Sequence, residues 1–141
     1  MSHGSPTCEA NPLQAVFARA LGRGRVPGMG SFELTRRCNL ACPHCYLGDD
    51  RGGEELATGD VLRILDEMAG AGTLMLTLTG GEPMLRPDFP EIYRRAHGLG
   101  FLVTVFTNGF LLDARARALF AEAPPRAIEV SLYGVGDEDY Q

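Results

Sequence analysis

A chain of 141 residues is enough for about one domain, on the usual scale of ~100–200 residues each. Thirteen basic against eighteen acidic residues leave a formal charge of −5 and no basic block. That argues against a non-specific nucleic-acid binder and gives no electrostatic hold on a lipid surface. A 45% hydrophobic share excludes wholesale disorder, yet no apolar run is long enough for a bilayer span, and the opening MSHGSPTCEANP lacks the features of a secretory signal. The expectation is a soluble, cytoplasmic protein that binds neither nucleic acid nor membrane.

From the amino terminus onward, residues 1–10 read as a loose tail. Asn11-Pro12 starts a helix, with Asn at the cap and Pro at the first helical position, and Gly22 stops it. The glycine-rich stretch 22–30 reads as a connection, and SFELT (31–35) alternates like a strand. The boundary between a leading segment, 1–30, and a core, 31–141, is therefore drawn here. Residues 48–55 read as a polar loop, with Asp49, Asp50, Glu54 and Glu55 as solvated surface. Thr58 is the expected cap of a helix whose apolar positions are Val61, Leu62, Ile64, Leu65 and Met68. A strand at 73–79, a helix opened by Asp88, a strand at 101–107, a helix capped by Asp113 and a strand at 127–133 follow. Strands alternating with helices predict parallel βαβ units, in either an open sheet or part of a (β/α) barrel. The fourth strand, with only Gly134–Gln141 after it and no further helix, is expected to present an open edge that favours self-association.

Cys38, Cys42 and Cys45, spaced C-x3-C-x2-C, directly follow the first strand, while Cys8 stands apart. An extracellular scaffold spreads its cysteines to staple the chain; clustering suits one local ligand set in a reducing compartment. Three thiolates can hold three irons of a [4Fe–4S] cluster and leave the fourth iron open. The rival is zinc, which needs a fourth ligand from His44, His3 or His97, or a water.

The second strand ends in Thr79-Gly80-Gly81-Glu82-Pro83, where glycines allow close backbone approach and Glu82 offers a carboxylate to a cationic group. The third ends in Thr107-Asn108-Gly109, and the fourth carries Ser131 before Leu132-Tyr133-Gly134. In α/β folds ligands bind outside the carboxyl ends of the strands, so one rim collects all the candidate chemistry.

These residues resemble the radical S-adenosylmethionine (radical SAM) superfamily. CNLACPHC at 38–45 matches its CxxxCxxC signature and Gly80–Glu82 its GGE, while TNG and SLYG extend the match over roughly 31–135. The wording is most similar to the peptide- and protein-modifying branch, which often carries a SPASM extension. The resemblance implies a (β/α)6 partial barrel, of which this chain would supply the first four strands. It implies that Cys38, Cys42 and Cys45 hold a [4Fe–4S] cluster whose open iron is chelated by S-adenosylmethionine. Reductive cleavage of that cofactor would give a 5′-deoxyadenosyl radical for modification of a peptide or protein, with ferredoxin or flavodoxin as one-electron donor. By the same resemblance Gly80, Gly81 and Glu82 would hold the methionine amino group. His44 and Tyr46 would lie near the adenine, and Asn108 and Ser131 near the ribose or methionyl end. The alternative is a non-catalytic α/β module holding zinc or a cluster for stability alone.

Overall fold

The computed structural model describes residues 26–48, 52–132 and 134. The helix expected over 11–22, the thiol of Cys8, the Asp49-Asp50 pair and Tyr133 lie outside the described residues. Within them the order is β1 (Met29–Thr35), α1 (Thr58–Gly70), β2 (Met75–Gly80), a 3₁₀ turn (Pro83–Leu85), α2 (Phe89–Gly98), β3 (Leu102–Thr107), α3 (Ala114–Glu122) and β4 (Ala127–Val130). The strands form one sheet in the order β1-β2-β3-β4, and every neighbouring pair is parallel. Sequential parallel strands joined by helices make this a partial β/α barrel, the architecture the sequence led us to expect.

Parity along the strands decides which face is core. Leu76 and Leu78 of β2 lie opposite Val103 and Val105 of β3, and all four are buried. They pack with Val61 and Leu65 of α1, Phe89, Ile92, Tyr93 and Ala96 of α2, and Leu119 and Phe120 of α3. Burying each Val, Leu, Ile or Phe of this set is worth roughly 1.5–3 kcal/mol. Of the intervening positions on β3, Leu102 and Phe106 are about two-fifths exposed while Thr104 between them is buried, so the opposite face is only partly covered. Tyr93 is the largest fully buried side chain; its hydroxyl donates to Ala123 O at 2.6 Å and its ring meets Phe120 edge-on at 5.1 Å.

Among the boundaries that differ from expectation, two have a clear local reason. β1 begins at Met29, inside the glycine-rich stretch, because Met29 and Gly30 pair with Met75 and Leu76. Thr58 is the first residue of α1 rather than its cap; Ala57 occupies the cap position, and the Thr58 hydroxyl donates to Asp88 Oδ2 at 2.7 Å. Asp88 does sit at the start of α2, but its carboxylate caps nothing, because the guanidinium of Arg86 takes it in a two-pronged pair at 2.9 and 2.6 Å. Arg86 is 4% exposed, and its other bonds run to Leu34 O and Leu56 O, both at 3.0 Å. A buried cation needs its countercharge more than a helix end needs a cap. Asp113 behaves as expected and accepts from Arg115 N and Ala116 N.

β4 is one of the two outer strands of the described sheet, β1 being the other. Its Ile128 and Val130, and Leu132 beyond it, are 37%, 48% and 70% exposed.

Candidate active site

Parallel strands deliver all their carboxyl ends to one rim, and four segments meet there: the cysteine loop after β1, the Gly80–Glu82 turn after β2, Thr107–Gly109 after β3 and Ser131 after β4. Cys38, Cys42 and Cys45 are half-buried, and none is in a disulfide. Two successive turns shape the loop, Cys45 N donating to Cys42 O at 3.2 Å and Gly48 N to Cys45 O at 3.0 Å. Cys38 Sγ accepts from Leu40 N at 3.5 Å and from Asn108 Nδ2 at 3.7 Å. His44 is exposed in the same loop.

The glycine turn is locked against that loop. Gly81 N donates to Thr35 O and Glu82 N to Arg37 O, each at 2.8 Å. A Cβ on Gly81 would lie 2.2 Å from Arg37 O, and one on Gly80, whose φ is +130°, would lie 2.2 Å from Thr35 O. The sequence explains this glycine pair by room for a ligand. The structure adds a second reason, because the backbone that launches the cysteine loop passes where side chains would be.

Glu82 is 0% exposed. Its Oε1 accepts from Met84 N at 3.2 Å, and its Oε2 from the Thr107 hydroxyl at 2.9 Å and Asn108 N at 2.8 Å. The carboxylate therefore fastens the β2 turn to the end of β3. Asn108 continues the connection, its amide donating to Asn39 Oδ1 at 2.8 Å while its Oδ1 accepts from Phe110 N at 3.0 Å. Tyr46 adds a further tie: its hydroxyl lies 3.2 Å from Glu33 Oε1 and 3.4 Å from Gly80 O. Burial of that hydroxyl, and then the Glu33 carboxylate, push its pKa up. Ser131 is exposed beside Thr107, with its N–H donating to Thr107 O at 3.0 Å.

Glu55 is exposed, as the surface reading expects, but its carboxylate is bound. It pairs with Arg37 Nε at 2.7 Å and Nη2 at 3.0 Å and accepts from the Thr35 hydroxyl. The Arg37 hydrogen bond, against a smaller opposing effect of burial, holds its pKa below the usual carboxylate value. A cavity of about 220 Å3 lies beside this pair, walled by residues 33–37 and 52–56; none of the three cysteines, Gly80–Glu82 or Asn108 lines it. Sequence reasoning does not single out Arg37 or Asn39, and it marks Thr107 as a strand end and the first residue of the TNG motif without giving its side chain a role. The one signal for Arg37 and Glu55 is the opposition of Arg36-Arg37 to Glu54-Glu55 across the loop.

Among the described residues no group of three or more His, Cys, Asp or Glu side chains forms a ready single-ion site. The donor set nonetheless fits a three-thiolate cluster: three half-buried cysteines in one turn-rich loop, one already receiving N–H···S bonds of the kind that tune cluster sulfurs.

The pattern that defines the Radical SAM superfamily matches residues 32–141. The chain belongs to the radical SAM superfamily. Its similarities include the peptide- and protein-modifying branch. It is 40% identical over 116 residues to the PqqA peptide cyclase of Granulibacter bethesdensis, covering 80% of this chain and 31% of that protein. It is 35% identical over 106 residues to the Fe-coproporphyrin III synthase of Methanosarcina barkeri, covering 74% and 27%. In fold it superposes on Streptococcus suis SuiB bound to the precursor peptide SuiA with a TM-score of 0.74 and 19% identity, covering 99% of this chain and 34% of SuiB. BtrN in complex with AdoMet and 2-DOIA gives 0.66 at 15% identity, covering 77% and 47%. This radical SAM chain spans about a third of the length of the curated relatives it matches. No helix among its described residues is long and apolar enough to cross a membrane.

Proposed function

We propose that this chain forms the amino-terminal part of a radical SAM enzyme core, with Cys38, Cys42 and Cys45 as ligands of a [4Fe–4S] cluster and a peptide or protein as substrate. The observation that carries the reading is the bonded rim. The cysteine loop, the GGE turn and the TNG turn are fastened to one another by Glu82, Asn108 and paired backbone bonds, and this is how a cofactor spanning all three would be held in register. When bound, the cluster and S-adenosylmethionine supply the electron transfer and the hydrogen-abstracting radical.

The chain's own residues bind and orient. The thiols of Cys38, Cys42 and Cys45 supply soft ligands, and the Gly80-Gly81 backbone, free of Cβ atoms, forms the floor on which the methionyl end of the cofactor would rest. We assign to the adenine His44 and Tyr46, the latter with its hydroxyl near Gly80 O, and to the ribose or methionyl end Asn108 and Ser131, which follow β3 and β4. Glu82 acts from beneath: its carboxylate is fully buried and fixes the turn, so its contribution to the methionine amino group runs through the backbone it holds. Ferredoxin or flavodoxin is the proposed electron donor. The peptide assignment rests on the likeness to PqqA peptide cyclases.

Anaerobic reconstitution with iron and sulfide tests the reading. About four of each per chain are expected, with C38A, C42A and C45A each losing stable cluster and C8A keeping it. A colourless protein carrying one zinc per chain would overturn it in favour of a structural metal module.

A further inference from the structure

We propose that Asn108 is a positioning residue that sets the reduction potential of the cluster by donating an N–H···S hydrogen bond to the Cys38 thiolate. This rests on the assignment of the three cysteines above. The amide of Asn108 has one acceptor in Asn39 Oδ1 at 2.8 Å and a second in Cys38 Sγ at 3.7 Å. Its direction is fixed by the rest of the residue. The main-chain N–H is held by Glu82 Oε2 at 2.8 Å, and the side-chain oxygen accepts from Phe110 N at 3.0 Å, so the NH2 group is the part left to face the cysteine loop. That geometry also settles which way the amide is turned, since the oxygen is the atom that meets an N–H donor.

The link reaches back to the sequence through Glu82. It is buried, and its carboxylate oxygens accept from Met84 N, the Thr107 hydroxyl and Asn108 N, all donors on the β2 and β3 turns. A carboxylate placed so is a brace, and what it braces is the peptide that aims Asn108 at Cys38. A donor on a ligating sulfur stabilises the more negative, reduced state of a cluster, and such bonds are among the determinants of cluster potential. Removing it should make reduction harder.

The test uses the reconstituted full chain and reads the midpoint potential of the one-electron couple by electron paramagnetic resonance during a reductive titration, with iron content measured in parallel. Asn108→Asp keeps the size and the acceptor for Phe110 N while replacing the donor by an oxygen; N108A deletes the side chain. Both should retain iron and shift the reduction equilibrium up to about tenfold, or 59 mV to lower potential, the Asp variant by more because it sets a negative charge beside the thiolate. N39A removes the other acceptor and keeps the Cys38 contact, so its potential should match the unsubstituted chain. Potentials of N108A and N108D equal to that of the unsubstituted chain would overturn the proposal. So would an N39A shift as large as that of N108A, which would mean a general loosening of the loop. Folded N108A and N108D chains that take up no cluster would overturn it too, because a tuning contact is not needed for ligation. If the unsubstituted chain takes up no cluster, the cysteine assignment itself fails; a normal cluster indifferent to Asn108 sinks this inference alone.

Discussion

Replacing Gly81 by Ala adds one methyl group where the glycine turn crosses the main chain leaving β1. The new Cβ would lie 2.2 Å from Arg37 O, 2.7 Å from Arg37 C and 2.9 Å from Arg36 O. All three are main-chain atoms, so no side chain can swing aside; the exit of β1 must move. Moving it strains or breaks the 2.8 Å bonds from Gly81 N to Thr35 O and from Glu82 N to Arg37 O. Overpacking of this kind costs about 1–3 kcal/mol, and each of the two backbone bonds about 0.5–1.5 kcal/mol net, so a loss of roughly 2–6 kcal/mol is expected. Because Arg37 immediately precedes Cys38, iron uptake should fall together with stability. Urea titration followed by circular dichroism measures the first, and iron content after reconstitution measures the second. Gly59 provides the control: it lies in α1 with nothing within 4 Å of an added Cβ, and G59A should hold or gain stability. G81A as stable as the unsubstituted chain, with full iron, would refute the claim that these glycines exist to let two backbones cross.

Three further outcomes follow from other contacts. D88N should cost about 3 kcal/mol by leaving Arg86 buried without its countercharge, measured as a lower urea midpoint. The Arg86 hydrogen bond holds the Asp88 carboxyl down at about 2. The stability this confers is full above the unfolded value near 3.8 and is lost as pH falls through about 2; D88N should flatten that part of the acid-unfolding curve. Burial pushes the Tyr93 hydroxyl up to about 12, so its contribution holds below the unfolded value near 10 and disappears as pH rises towards 12. Y93F should remove that alkaline loss and, by leaving Ala123 O without its donor, lower stability at neutral pH by about 1–3 kcal/mol.

Residue order alone was enough to establish the alternation of strands and helices, the parallel arrangement and the rim on which the chemistry collects. Period-two and helical patterns report burial directly, and a βαβ order leaves few topologies open. The three-thiol loop was equally legible, since ligand chemistry is written in residue type and spacing. Thr58 and Asp88 show where local rules stop. Thr58 falls one place inside its helix and Asp88 stands at a cap position, yet each side chain is bound elsewhere, because a buried Arg86 that no local pattern reveals drew Asp88 away and Asp88 drew Thr58. Glu82 shows the same limit at the site. In the sequence it is a carboxylate open to a cationic ligand; in the fold it lies beneath the rim, holding Thr107 and Asn108 from 25 and 26 residues away. Gly81 likewise is defined by the main chain of Arg37, far earlier in the chain. Contacts of that range depend on how the strands are laid side by side, and only the assembled sheet specifies which main-chain atoms a side chain, or its absence, will meet.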